Sequence, residues 1–159
     1  MTRPSYPKPK NDSRGGSSPD ISGVISKIER VNNLSEIDIE EIAKENGIAE
    51  QVVIALKKSR KPLNPTQLRK FFDTIIRIKE KTTGKNWDSA RVDFHMLRPN
   101  LAYARGRDTI SKEFYDFCNV CMNKVETKNE EQTIKNYARF VELMEAVVAY
   151  SKFYDKERV

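Results

Sequence analysis

The sequence is poor in the residues from which catalytic and metal centres are usually built. Its 159 residues include one histidine and two cysteines. A structural zinc site needs four ligands, usually cysteine or histidine, and the common nucleophilic centres need a histidine as base. No strand, glycine-rich turn and helix follow one another in a way that would bind a nucleotide phosphate. We therefore predict a protein that is not an enzyme and that has no metal site and no cofactor.

Long apolar segments are also missing. No apolar run approaches the ~20 residues of a membrane-spanning helix, and the first residues lack the apolar core of a signal peptide. We therefore expect a cytoplasmic protein that has no membrane partner.

The first residues lack the apolar side chains needed for a core. Residues 1–20 contain four prolines, two glycines and no aliphatic residue after Met1, a composition that predicts a flexible, disordered tail. Residues 21–159 suffice for a single helical domain. Within it, residues 21–56 predict short acidic helices, one of them at residues 35–46, with a helical hairpin, and residues 57–159 predict a compact all-α bundle of about five helices.

Charge is unevenly distributed along the chain. Residues 57–85 contain ten basic and two acidic residues, a balance of +8, whereas residues 29–50 contain two basic and seven acidic residues, a balance of −5. A concentrated positive zone indicates a polyanionic partner, most often nucleic acid. A solvated helix face is the alternative, because lysine-rich faces are common in soluble proteins.

An amphipathic helix is predicted at residues 65–81. Asn64 suits the N-cap and Pro65 the first helical position. Apolar residues at helical spacing predict a packing face that consists of Leu68, Phe71, Phe72, Ile75 and Ile76. The opposite side carries Lys70, Arg77 and Lys81, with Arg69 on its flank.

A tight corner is predicted at residues 97–107, LRPNLAYARGR. Pro99 should end the helix at residues 88–97, and Asn100 should cap a short new one. Arg98, Tyr103, Arg105 and Arg107 would then form a clamp for a nucleic-acid backbone. Tyr103 could equally belong to the core, and one arginine could pair with Asp93 or Asp108.

Other motifs have simpler interpretations. A helix capped by Ser111 is predicted to run to about residue 128. Within it Cys118 and Cys121 share a face with apolar residues and are predicted to pack in the core. His95, with no suitably spaced ligand partner, is predicted to be structural.

Residues 43–53 have the residue spacing of a helix-turn-helix, although acidic residues there would repel phosphates. The last helix, at residues 131–154, is apolar over most of its circumference, so it is either central or shared with another chain.

Three blocks of the sequence resemble the small subunit of type III-A CRISPR-Cas interference complexes, the Csm effector. They are TQLRKFFDTI at 66–75, LRPNLAYARGR at 97–107 and FVELMEAVVAYSKFY at 140–154. The resemblance implies a non-catalytic helical subunit that stacks in several copies along the backbone subunit, beside the large subunit. Its expected partners are guide RNA, target RNA, those two subunits and other copies of itself, including a homodimer.

The resemblance matches Arg69, Lys70, Tyr103 and Arg107 to basic and aromatic positions of the family. The full set of predicted RNA-binding residues is Lys61, Arg69, Lys70, Arg77, Lys81, Arg98, Tyr103, Arg105 and Arg107. We expect the two patches to form one contiguous positive surface that follows RNA phosphates without reading bases. Two alternatives remain: a helix-turn-helix DNA-binding protein, and a structural adaptor whose basic faces meet acidic proteins.

Overall fold

The computed structural model describes residues 21–59, 64–84 and 86–157. These residues form seven α-helices, one 3-10 helix at Leu34–Glu36 and no strand. The α-helices are α1 (Ile21–Arg30), α2 (Ile39–Ala43), α3 (Ile48–Lys57), α4 (Pro65–Glu80), α5 (Asp88–Gly106), α6 (Lys112–Met122) and α7 (Glu130–Glu157). The all-α class predicted from the sequence is confirmed. The predicted tail at residues 1–20 lies outside the described residues, as does Lys61.

The last helix, α7, is the centre of the bundle. It packs against α2, α3, α4 and the 3-10 helix. Its buried side chains include Tyr137, Phe140, Leu143, Met144 and Val147. The wide apolar arc of α7 is therefore used inside the chain, because helices surround it on several sides.

The acidic N-terminal segment is built into the same core. Ile28, Leu34, Ile42 and Leu56 are buried in one cluster with residues of the later helices. Residues 35–46 were expected to form one helix but form parts of two, the 3-10 helix and α2. Between them Ile37 is extended, which places its side chain in the core with 3% exposure.

Helix α5 contradicts the predicted corner, because it continues through Pro99 to Gly106. An interior proline removes one backbone hydrogen bond and crowds the preceding turn. Leu97 and Leu101, one turn apart on either side of it, are 1% and 3% exposed. Burial of both leucines requires the helix to continue. Asn100 therefore lies inside a helix and caps nothing.

Helix α6 is shorter than the sequence indicated. It was predicted to reach residue 128 but ends at Met122. The chain then tightens through backbone hydrogen bonds from Lys124 to Cys121 and from Val125 to Met122. The buried Asn136 of α7 donates to the Val125 carbonyl at 3.0 Å, and this contact fixes the turn. No helix in the described part of the chain is long and apolar enough to span a membrane.

Candidate nucleic-acid interface

The start of α4 is fixed by the local chemistry that the sequence predicted. The Asn64 Oδ1 atom accepts hydrogen bonds from the backbone N–H groups of Thr66 at 2.8 Å and Gln67 at 3.1 Å. Pro65 occupies the first turn. The packing face buries Leu68 and Ile75 completely, with Phe71 partly buried beside them. The opposite face of α4 is consequently held toward solvent.

Helices α4 and α5 form an antiparallel pair. Lys81, directly after α4, forms an ion pair with Asp93 near the start of α5. Lys70, near the other end of α4, lines a groove of about 160 Å³ together with Asn100 and Ala104 of α5. The two helices therefore run in opposite directions and share one outward surface along their contact.

Five of the predicted RNA-binding residues lie on this surface. Lys70 and Arg77 of α4 and its C-cap residue Lys81 share one side, because steps of seven and eleven residues return to nearly the same direction. On α5, Tyr103 and Arg107 follow the groove residue Asn100 at i+3 and i+7, so they lie on its side of the helix. We call the surface of these five residues the α4–α5 face: Lys70, Arg77, Lys81, Tyr103 and Arg107.

Most of the positive charge on the α4–α5 face is not neutralised. Among the described residues no carboxylate pairs with Lys70, Arg77 or Arg107; Arg77 donates to the Thr74 hydroxyl at 3.2 Å. The Arg107 guanidinium lies 5.7 Å from the centre of the Tyr103 ring. Tyr103 is 66% exposed, so the alternative that it belongs to the core is wrong. On this face, Lys81 is the one cation that pairs with an acid among the described residues.

The other predicted residues that the structure describes, Arg69, Arg98 and Arg105, point elsewhere, so the expected single surface is contradicted. Arg69 lies 3.9 Å from Asp73 and lines a cleft with Lys152 of α7. Arg105 lies 3.7 Å from Asp108, an ion pair that was foreseen. Arg98 donates to Asn119 of α6 and to Asn123, the residue directly after α6. The reason is that α4 and α5 each have two flanks, and their cations are divided between them.

A cluster around Glu126 was missed by sequence reasoning. Its carboxylate accepts hydrogen bonds from Trp87 Nε1 at 2.8 Å and pairs with His95 Nε2 at 2.9 Å. Arg91 Nε lies 3.4 Å from the same carboxylate. These partners are far from Glu126 in the sequence, so no local spacing pointed to them. They attach α5 to the connection before α7.

The two cysteines lie in the core, as predicted. Cys118 and Cys121 are fully buried and free. Burial raises the pKa of both thiols, and the neighbouring Cys121 raises that of Cys118 further. A thiol of this kind stays protonated and is a poor nucleophile and metal ligand. The C-x-x-C spacing here therefore serves packing.

The structure argues against DNA binding by the helix-turn-helix pattern. The second helix of that pattern, α3, buries Ile48, Val52 and Leu56. Glu50, at its start, is 8% exposed. Its carboxylate accepts the Asn46 backbone N–H at 2.6 Å and the Tyr154 hydroxyl. A helix that must enter a DNA groove needs an exposed face at this end, and α3 has none.

The fold and this surface define an all-helical protein that displays cations on a pair of packed helices. In the described residues no group of three or more side chains could hold a metal ion. The chain belongs to the Csm2 Type III-A family, whose profile matches residues 39–157. The small-subunit family inferred from resemblance is thereby confirmed.

The chain is also similar to a curated protein that carries the same family name. The CRISPR system Cms protein Csm2 of Streptococcus thermophilus is 28% identical to this chain over 109 residues. The alignment covers 67% of this chain and 87% of the relative. No solved structure gives a significant match.

Proposed function

We propose that this chain is a non-catalytic, RNA-binding small subunit of a type III-A CRISPR-Cas effector complex in the cytoplasm. Copies would stack along the backbone subunit, beside the large subunit, and hold the duplex of guide RNA and target RNA. The complex would contribute to antiviral defence. Family membership supports the assignment to the complex, and the α4–α5 face supports the contact with RNA.

The observation that carries the RNA contact is the set of unpaired cations on a rigid helix pair. Lys70, Arg77 and Arg107 are available for phosphates because no described carboxylate neutralises them. Their helices are held by burial on the opposite side, so binding would order few side chains. Tyr103 adds an exposed ring that can stack on a base. In such a complex base pairing reads the sequence, and the protein needs only to recognise the backbone and its shape.

Charge separation supports the stacking of copies. The segment at residues 29–50 has a balance of −5 and the segment at residues 57–85 a balance of +8. An acidic surface of one copy can therefore attract a basic surface of the next, and such head-to-tail contacts produce open arrays. Part of the basic surface would remain free for RNA.

The RNA contact is tested with the Lys70→Ala/Arg77→Ala variant of the full chain. We expect weaker binding to two unrelated RNA duplexes by the same factor, because phosphates are common to both. The slope of log K against log salt concentration should fall by roughly one or two phosphate contacts. Fluorescence anisotropy over a salt series measures both quantities.

The matched control removes the same charge elsewhere. Lys44 and Lys135 are exposed outside the α4–α5 face, and the Lys44→Ala/Lys135→Ala variant should keep nearly the wild-type affinity and slope. Equal losses in both variants would contradict a specific surface. No RNA binding by the wild type would favour the adaptor, and preference for duplex DNA would favour the helix-turn-helix alternative.

A further inference from the structure

Arg98 differs from the other described arginines in how its guanidinium is held. It projects from the side of α5 that packs against α6. Its Nη1 donates to Asn119 Oδ1 at 2.7 Å and its Nη2 to Asn123 Oδ1 at 2.6 Å. Asn119 lies in α6 and Asn123 follows its last residue, one turn further on, so the two side chains stand side by side at the end of that helix. The guanidinium is therefore fixed at both ends by a second helix.

The two partners of Arg98 orient the guanidinium without neutralising it. Both are neutral amides, and among the described residues no carboxylate pairs with Arg98. Arg69, Arg105 and Arg139 are different, because each has a carboxylate partner. A charge that is held in place but left uncompensated is suited to an anion that comes from outside the chain.

Hydrogen-bonding capacity also remains at this place. A guanidinium has about five N–H donors, and the two bonds to the asparagines use two of them. The amide nitrogens of Asn119 and Asn123 donate to no acceptor among the described residues. Arg98 is partly buried, and Asn123 is exposed. An oxyanion at the rim could thus accept from the guanidinium and from an amide together.

We propose that Arg98, Asn119 and Asn123 form a preorganised binding site for a backbone phosphate of RNA. It lies on the α6 side of α5, apart from the α4–α5 face, so a bound RNA would be held at two separate places. Asn119 and Asn123 position the guanidinium through their Oδ1 atoms, and their amide nitrogens are further donors to the phosphate. The identity of the ligand rests on the proposed function, whereas the affinity for phosphate does not.

A purely structural role makes a different prediction for an aspartate at position 123. If Arg98 only ties α5 to α6, Asn123→Asp strengthens that tie, because a charge-assisted hydrogen bond replaces a neutral acceptor. The affinity for RNA would then stay at its wild-type value. If Arg98 binds phosphate, the same substitution neutralises the site and RNA binding falls.

The experiment compares full-length wild type with Asn123→Asp. We expect an unchanged or higher Tm, RNA affinity reduced roughly three- to tenfold, and a salt slope lower by about one phosphate contact. Ala149→Asp, an exposed position on α7, introduces the same charge and should keep wild-type affinity. Wild-type affinity in Asn123→Asp would overturn the proposal.

A second variant tests the site even if Asn123→Asp is unstable, and a second probe tests it without RNA. Arg98→Lys retains the charge but loses the planar fork, and it should show a similar loss of affinity if Asn123→Asp proves unstable. Inorganic phosphate should shift the Arg98 Nε–H NMR signal in the wild type and not in Asn123→Asp. No shift in the wild type would refute the site, even if RNA binding through Lys70 and Arg77 is found.

Discussion

At the scale of single residues, the partner of each arginine decides what it can do. Arg77 and Arg107 contact hydroxyl groups. Because a hydroxyl group is neutral, the positive charges of these arginines remain available to a phosphate. Arg69 and Arg105 lie near aspartates within one turn of themselves. A local ion pair of this kind contributes little to stability when it is exposed, but it lowers the local positive potential. We therefore expect Arg77 and Arg107 to contribute more to RNA binding than Arg69 and Arg105.

Tyr154 is a residue whose ionisation is coupled to the fold. Its hydroxyl donates to the carboxylate of Glu50, which also accepts the Asn46 backbone N–H. The hydrogen bond to Glu50, with smaller effects of burial and of the glutamate charges, raises the pKa of Tyr154 to about 12. The contact links the end of α7 to the start of α3.

This coupling predicts how stability changes at alkaline pH. The folded state holds the Tyr154 proton more tightly than the unfolded state, so the stabilisation is complete below about pH 10 and is lost as pH rises toward about 12. Between those values the free energy of unfolding should fall more steeply in the wild type than in Tyr154→Phe. Urea titrations at pH 9, 10 and 11 measure the difference.

Glu50→Gln provides the comparison for that prediction. It keeps the size of the side chain and removes the negative charge that favours the protonated hydroxyl. Its alkaline slope should therefore resemble that of Tyr154→Phe. Three identical slopes would show that the Tyr154–Glu50 contact does not contribute in solution.

At the scale of elements, α5 is the helix whose course is least expected. Pro99 lies inside it, at a cost of about 3 kcal/mol relative to alanine in an ordinary helix interior. Leu97 and Leu101 flank it in the core, and Phe94 lies one turn earlier, also buried. Their burial offsets the cost, since each large apolar side chain contributes roughly 1.5–3 kcal/mol.

Replacement of this proline should therefore stabilise the protein. Pro99→Ala restores a backbone N–H that can bond to the His95 carbonyl, and we expect the free energy of unfolding to rise by about 1–3 kcal/mol. Pro65→Ala, at the first helical position of α4, should change it little. Urea unfolding of the two variants measures both effects. A less stable Pro99→Ala would mean that the packing of α5 requires the bend that proline imposes.

The elements also show which features a sequence can reveal. The starts of α4 and α6 were predictable, because Asn64 and Ser111 accept backbone N–H groups only two or three residues away. The continuation of α5 and the early end of α6 were not. Both depend on tertiary contacts, namely the burial of Leu101 and the hydrogen bond from Asn136 to Val125. The local spacing of residues in the sequence does not indicate such contacts.

At the scale of the whole molecule, the predicted class and core followed from helical periodicity, and the family followed from three sequence blocks. The division of the cations between the flanks of α4 and α5 could not be predicted from the sequence. Which flank of α4 or α5 faces a neighbour is decided only when α6 and α7 pack beside them. Arg69 thus belongs to the α7 side and Arg98 to the α6 side, while Lys70 shares the groove with α5.

The central claim is that RNA lies on the α4–α5 face, and photo-crosslinking tests it most directly. RNA that contains 4-thiouridine is bound to the full chain, irradiated and digested, and the linked peptides are identified by mass spectrometry. We expect the main crosslinks in peptides of α4 and of the second half of α5, with Tyr103 prominent. Crosslinks confined to α3 or to the acidic residues 29–50, with none on α4 or α5, would contradict the claim.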